Sequence, residues 1–188
     1  MKNTIFALTA VTLSAVSAPA MAGTIQAEVR LGDVRGGTKP DSTEYNVQYT
    51  APLNSLLNYG AEIEVKQKNG AGPLTSKVSA RVGPALPTVL GFKTAAYAEA
   101  GESLGLGDDY GFWGAGVTTS HKIAGPVVAN VGYSHRGSFT LTRRLDENEL
   151  NGGLGLSIGH GNNLGVQYYR TTGTTRSDAI GLAFKHSF

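Results

Sequence analysis

The sequence predicts an all-β chain, a transmembrane antiparallel up-and-down β-barrel of about ten strands, with eight or twelve as alternatives. Three observations predict it. Apolar and polar residues alternate with period two in ten short segments, which is the periodicity of a strand. The apolar parity of those segments carries no Asp, Glu, Lys or Arg. Beyond the first 22 residues no apolar run approaches the ~20 residues that a membrane helix needs, which excludes helical spans but not a closed barrel.

Residues 1–22 are expected to form a cleavable secretory signal. Lys2 supplies the positive start, Ile5 to Ala18 the apolar stretch, and Ala20-Met21-Ala22 the small-x-small cleavage site. Residues 23–188 are then one barrel domain. Cysteine is absent, so neither a disulfide framework nor a thiolate metal site is available. The net charge is +2 with no basic run, so nucleic acid is not an expected partner. The 26 glycines argue for turns and curved strands rather than helices.

The strands follow in order. The first sets Ile25, Ala27, Val29 and Leu31 against Gln26, Glu28 and Arg30, and the second sets Tyr45, Val47 and Tyr49 against Glu44, Asn46 and Gln48. In the third, Tyr59, Ala61, Ile63 and Val65 oppose Glu62, Glu64 and Lys66; in the fourth, Val78, Ala80 and Val82 oppose Ser79 and Arg81. The fifth places Leu90, Phe92, Thr94, Ala96 and Ala98 opposite Lys93, Tyr97 and Glu99. The sixth runs from Trp113 to Lys122, with Gly114, Gly116 and Lys122 on its polar side. The seventh sets Val127, Ala129, Val131 and Tyr133 against Asn130, Gly132, Ser134 and Arg136. Leu154, Leu156 and Ile158 mark the eighth, and Leu164, Val166 and Tyr168 the ninth. The last alternates Ile180, Leu182, Phe184, His186 and Phe188 with Gly181, Ala183, Lys185 and Ser187.

A lipid-facing surface explains the uncharged parity, because a basic residue at the bilayer midplane costs roughly 2–4 kcal/mol. A one-residue slip of the third strand would turn Glu62, Glu64 and Lys66 into lipid, so the register is firmly specified. All six prolines beyond the signal, Pro40, Pro52, Pro73, Pro84, Pro87 and Pro126, are expected between strands, where no ladder hydrogen bond is lost.

The connections alternate in character. Pro52 to Asn58, Pro84 to Pro87, Ala124 to Pro126 and Gly161 to Asn163 form one set, expected at the periplasmic end with both termini. Asp33 to Ser42, Asn69 to Leu74, Gly101 to Tyr110, Gly137 to Asn148 and Thr172 to Ser177 form the longer, external set. All six aspartates fall in or beside the external set. Tyr45, Trp113, Tyr133 and Tyr168 lie near external strand ends, and Tyr49, Tyr59, Phe92 and Phe188 near periplasmic ends, as two aromatic girdles would require.

The ending Gly181-Leu182-Ala183-Phe184-Lys185-His186-Ser187-Phe188 resembles the C-terminal assembly signal of Gram-negative outer-membrane proteins, with Gly181, Phe184, His186 and Phe188 as its marked positions. The resemblance implies an outer-membrane location and recognition by the barrel-assembly machinery. Within the class, the polar, charge-studded inner face is similar to the oligogalacturonate-specific porins, which normally have twelve strands. The alternative likeness is to closed barrels of the OmpX and OmpA type, which normally have eight.

The residues expected to line the interior are Glu28, Glu44, Glu62, Glu64 and Glu99 with Arg30, Lys66, Arg81, Lys93, Lys122, Arg136 and Lys185, five acids against seven bases. Water around them would make a narrow porin-like channel for small solutes with a weak anion preference. Mutual pairing would instead fill the lumen and make a closed structural or adhesive barrel. Gly114, Gly116, Gly153, Gly155, Ser157, Gly181 and Ala183 leave one inner wall nearly bare, which favours the channel.

Catalysis is not expected. Of the four histidines, His121, His135 and His186 share the lipid-facing parity, and His160 adjoins a turn. Ser134 and His135 point to opposite faces and cannot pair within a regular strand. No cofactor or metal site is expected; Gly105 to Asp109 reads as a solvated turn rather than a calcium loop. Arg143-Arg144, beside Asp146, Glu147 and Glu149, are expected to meet lipopolysaccharide phosphates above the membrane.

Overall fold

A computed structural model describes residues 22–32, 41–68, 74–105, 109–140 and 145–188. Almost all of the expected signal segment, the Arg143-Arg144 pair, and Asp33, Pro40, Pro73 and Asp108 lie outside the described residues.

Ten strands follow one another: β1 Thr24–Gly32, β2 Ser42–Pro52, β3 Leu57–Lys68, β4 Leu74–Pro84, β5 Phe92–Leu104, β6 Tyr110–Ala124, β7 Val127–Ser138, β8 Asp146–Gly159, β9 Asn162–Gly173 and β10 Ser177–Ser187. Each pairs antiparallel with its neighbour in sequence, and β10 closes on β1. The barrel therefore has no free edge, as a structure surrounded by hydrocarbon requires.

The register keeps the two parities apart around the ring. Leu182 faces Val29 on one side and Val166 on the other, and Val166 continues to Leu154 and Ala129. Burial is inverted relative to a water-soluble domain. Leu182, Val166, Leu154 and Val131 are more than half exposed, while Glu28, Asn46, Glu62, Glu64 and Glu99 are buried. Apolar atoms exposed outside and carboxylates buried inside make sense only if the outer wall meets lipid.

Three turns show why these residues end the strands. At the β8–β9 turn His160 (φ 50°) and Gly161 (φ 75°) both take left-handed backbone, the requirement of a two-residue hairpin matched to strand twist. A Cβ on Gly161 would also lie 2.2 Å from the Ser187 carbonyl oxygen, so glycine is needed there for space as well. At the β6–β7 turn Gly125 (φ 51°) precedes Pro126. The third, Val89 to Phe92, is closed by two backbone hydrogen bonds across Leu90 and Gly91.

Several strand ends differ from expectation. Pro52 and Pro84 are the last residues of β2 and β4 rather than lying between strands, tolerated there because a terminal position needs no further ladder N–H. Strand β5 begins at Phe92, since Leu90 is spent on the turn. Strand β8 begins at Asp146, seven residues before Gly153, so Asp146, Glu147 and Asn148 sit in the ladder opposite Gly137, Arg136 and His135 and not in an external loop.

Candidate functional site

The inward parity of β1 to β5 supplies carboxylates and cations at one level of the barrel, and β7 and β8 supply the groups that reach them across the lumen. Arg136 on β7 donates from Nε to Glu99 Oε1 at 2.6 Å, from Nη1 to Glu64 Oε2 at 3.1 Å and from Nη2 to Glu62 Oε2 at 3.2 Å. One guanidinium thus holds carboxylates from β5 and β3, using the planar fork that distinguishes arginine from lysine. Arg81 on β4 donates from Nε to Glu99 Oε2 at 2.8 Å and also bonds Glu62. Lys77 meets Glu64 at 3.0 Å, and Asn46 bonds the remaining oxygen of Glu62.

A second group gathers on the opposite side. Arg30 on β1 donates to Glu44 at 3.1 Å and Glu149 at 3.4 Å, lies 3.3 Å from Glu28, and stacks 3.8 Å above the Tyr169 ring. Tyr169 in turn donates its hydroxyl to Glu28 at 2.5 Å. Its ring gives a cation–π surface to the arginine, and Tyr97 does the same for Arg81 at 4.4 Å.

Glycine makes this crowding possible. A Cβ on Gly114 would lie 2.7 Å from Glu99 Oε1, one on Gly116 2.6 Å from Tyr97, and one on Gly181 2.1 Å from Glu28 Oε1. The expectation of a bare wall fails at Gly114 and Gly116 on β6 and at Gly181 on β10, while Gly155, Ser157 and Ala183 do line the larger cavity. At the first three positions the missing side chains admit neighbouring ones instead of opening the lumen. At Gly155 nothing lies closer than 3.7 Å to a Cβ.

Two cavities flank the cluster. The larger, at the end expected to face the periplasm, is about 1050 Å³, and the smaller, at the end expected to face outward, about 390 Å³. Arg30, Ser134, Arg136, Glu149 and Tyr169 belong to the walls of both, so these side chains form the partition between two vestibules. The residues common to both walls lie on β1, β7, β8 and β9, so among the described residues the partition is made of strand side chains.

The interior residues expected from sequence are placed as follows. Arg30, Glu62, Arg81, Lys93, Lys122, Arg136 and Lys185 line the larger cavity, and Glu44, Glu64 and Lys66 the smaller one. Glu28 and Glu99 are buried behind Tyr169 and the two arginines Arg81 and Arg136. Lys93, Lys122 and Lys185 line the larger cavity together, in no ion pair with the carboxylates of the partition. Sequence reasoning missed Lys77 and Glu149. Continuing the inward parity from Ser79 back to Lys77, and from Gly153 back to Glu149, would have found both.

The remaining candidates are spread out. Phe184, His186 and Phe188 lie on the outer parity of β10, with His186 edge-on to Phe188 and bonded to Asn162, while Gly181 faces inward. Ser134 lines the lumen; His135 packs against Trp113 and Asn148 on the outside, so they do not meet. The Gly105 amide donates to the Asp109 carboxylate at 2.9 Å, an ordinary turn contact. Leu106 to Asp108 lie outside the described residues.

An apolar outer wall, a closed antiparallel ladder and an ionic lumen define a membrane β-barrel of the bacterial outer-membrane class. Solved structures agree on that fold. The translocator domain of the autotransporter NalP from Neisseria meningitidis matches with a TM-score of 0.52 at 10% identity, over 100% of this chain and 96% of that one. The beta domain of the Bordetella autotransporter BrkA matches with a TM-score of 0.53 at 13% identity, over 90% of this chain and 100% of that one. The KdgM porin, solved in complex with disordered oligogalacturonate, matches more loosely, with a TM-score of 0.47 at 8% identity over 88% and 99% of the two chains. No protein-family model matches the sequence, and no curated protein matches it either. The likeness is one of fold.

Proposed function

We propose that the chain resides in the outer membrane as a narrow channel for passive diffusion of small solutes, with a weak anion preference. The observation that carries this reading is the pair of vestibules that, among the described residues, meet at a partition of side chains. A partition of side chains narrows a lumen and so restricts solute size. The anion preference rests on the periplasmic vestibule. Lys93, Lys122 and Lys185 project into it, and the carboxylates on its walls, Glu62 and Glu149, belong to the partition and are already engaged by arginines.

Catalysis plays no part in this reading, because the inward groups best placed for proton transfer are held in ion pairs. Outer-membrane lipid and lipopolysaccharide are the surrounding partners, and the Gly181 to Phe188 segment is the mark for the barrel-assembly machinery. The density of ion pairs also favours a second reading, a closed structural or adhesive barrel. Swelling of proteoliposomes in sugars of graded size tests the first directly. Swelling with the smallest sugars and a sharp cut-off supports the channel, whereas no swelling with any sugar supports the closed barrel.

A further inference from the structure

The periplasmic rim is lopsided. Under β6 to β10 the turns are tight and small or polar, Gly125-Pro126 and His160-Gly161. Under β2 to β5 the chain makes two longer turns, 53–56 and 85–91, and neither contains a charged residue. Their apolar side chains point away from the protein. Leu90 is 88% exposed, Leu56 74%, Val89 60% and Leu53 59%, with Leu86 beside them at 43%.

These turns are built rather than loose. The Ala85 amide donates to the Leu56 carbonyl at 2.8 Å and ties one turn to the other. The Asn54 side-chain oxygen accepts from the Leu56 and Leu57 amides at 2.8 and 2.9 Å, and the Leu53 amide donates to Leu57 at 2.8 Å. The polar backbone is thereby satisfied internally while the leucines stay outside. Leu90 is the sharpest feature. It holds a left-handed φ of 51°, a conformation that suits glycine or asparagine and penalises leucine. Nothing inside the protein compensates for that penalty, since the side chain is nearly fully exposed.

The apolar surface is carried into the outer wall by Val82 at 47% and Phe92 at 46% exposure, Phe92 stacking on His121. A protein partner would ordinarily meet a polar or charged rim around an apolar centre, and this patch has lipid-facing strand on its upper side and no charge within its turns. We infer that turns 53–56 and 85–91 form an apolar lip that inserts into the periplasmic leaflet of the bilayer, so that the β2–β5 wall sits deeper than the wall opposite. The inference rests on the membrane placement proposed above and is independent of whether the lumen conducts.

The absence of cysteine allows single sites to be labelled cleanly. Leu56→Cys, Leu90→Cys, His160→Cys and, as a control on the lipid-facing wall, Leu182→Cys are spin-labelled in the full barrel. They are refolded into phosphatidylethanolamine–phosphatidylglycerol vesicles, with folding checked by heat-dependent gel mobility. Accessibility to oxygen and to a water-soluble nickel chelate reports depth. The lip predicts labels at 56 and 90 that oxygen reaches and the chelate does not, like 182 and unlike 160. Chelate access at 56 and 90 equal to that at 160, with 182 still lipid-exposed, overturns the lip and leaves the membrane barrel intact. Chelate access at 182 as well removes the membrane placement itself. Protection of 56 and 90 in native outer membranes but not in vesicles also overturns the lip, because the occupant is then a protein.

Discussion

Arg136 and Glu62 meet at 3.2 Å although they belong to β7 and β3, four strands apart around the barrel. The contact crosses the lumen, and with the Glu64 and Glu99 bonds it makes Arg136 the keystone of the partition. Arg136→Ala leaves three buried carboxylates short of a partner, a change that costs about 3–5 kcal/mol in a buried pair. The expected outcome is a lower temperature for the loss of heat-resistant gel mobility and a wider constriction. Arg136→Lys keeps the charge but loses the planar fork, so it recovers only part of the stability.

A charge on the outer wall has the opposite geometry. Leu182 is 55% exposed in the middle of β10, and Leu182→Lys places an ammonium in hydrocarbon at a cost of roughly 2–4 kcal/mol. Gly155→Lys, on the lumen side of β8 where a Cβ has 3.7 Å of clearance, is expected to fold with little loss. Urea unfolding of the two variants in vesicles compares the faces. Equal losses would contradict the assignment of inside and outside.

Gly153 and Gly155 are two residues apart on the same inner face, yet they differ in what a methyl group would meet. At Gly153 a Cβ would come within 2.3 Å of the Val166 carbonyl oxygen, and at Gly155 it would be 3.7 Å from its nearest neighbour. Gly153→Ala is therefore expected to destabilise by about 1–3 kcal/mol, as overpacking does, and Gly155→Ala to be close to neutral. Thermal unfolding of both decides it.

On the proposed channel reading, Lys93, Lys122 and Lys185 set the selectivity. Joint replacement Lys93→Gln, Lys122→Gln and Lys185→Gln removes three positive charges from the larger vestibule and leaves the arginine–glutamate partition in place. The reversal potential under a potassium chloride gradient is expected to shift from weakly anion-selective to weakly cation-selective, with stability unchanged or improved.

The outline of the barrel was legible in the sequence because lipid enforces one parity along every strand. Ile63 and Leu182 declare the outer face as plainly as Glu62 and Lys185 declare the inner one. Strand ends were less legible, because above the membrane that constraint relaxes. Asp146-Glu147-Asn148-Glu149 looks like a loop by composition, yet it extends β8 and sends Glu149 to Arg30. Contacts across the lumen were not legible at all. Period and register specify which residues neighbour each other in the ladder, and neither says that Arg136 reaches Glu62. The glycines of β6 and β10 were misread for the same reason, since Gly114 and Gly181 make room for Glu99 and Glu28.

On the proposed channel reading, a partition of side chains with Arg136 at its middle narrows a water-filled lumen. Single-channel recording in planar bilayers, comparing the native barrel with Arg136→Ala, tests it most directly. Small, resolved conductance steps in the native protein that become larger in the variant are the predicted result. Electrical silence of both, from preparations shown to be folded, would contradict it.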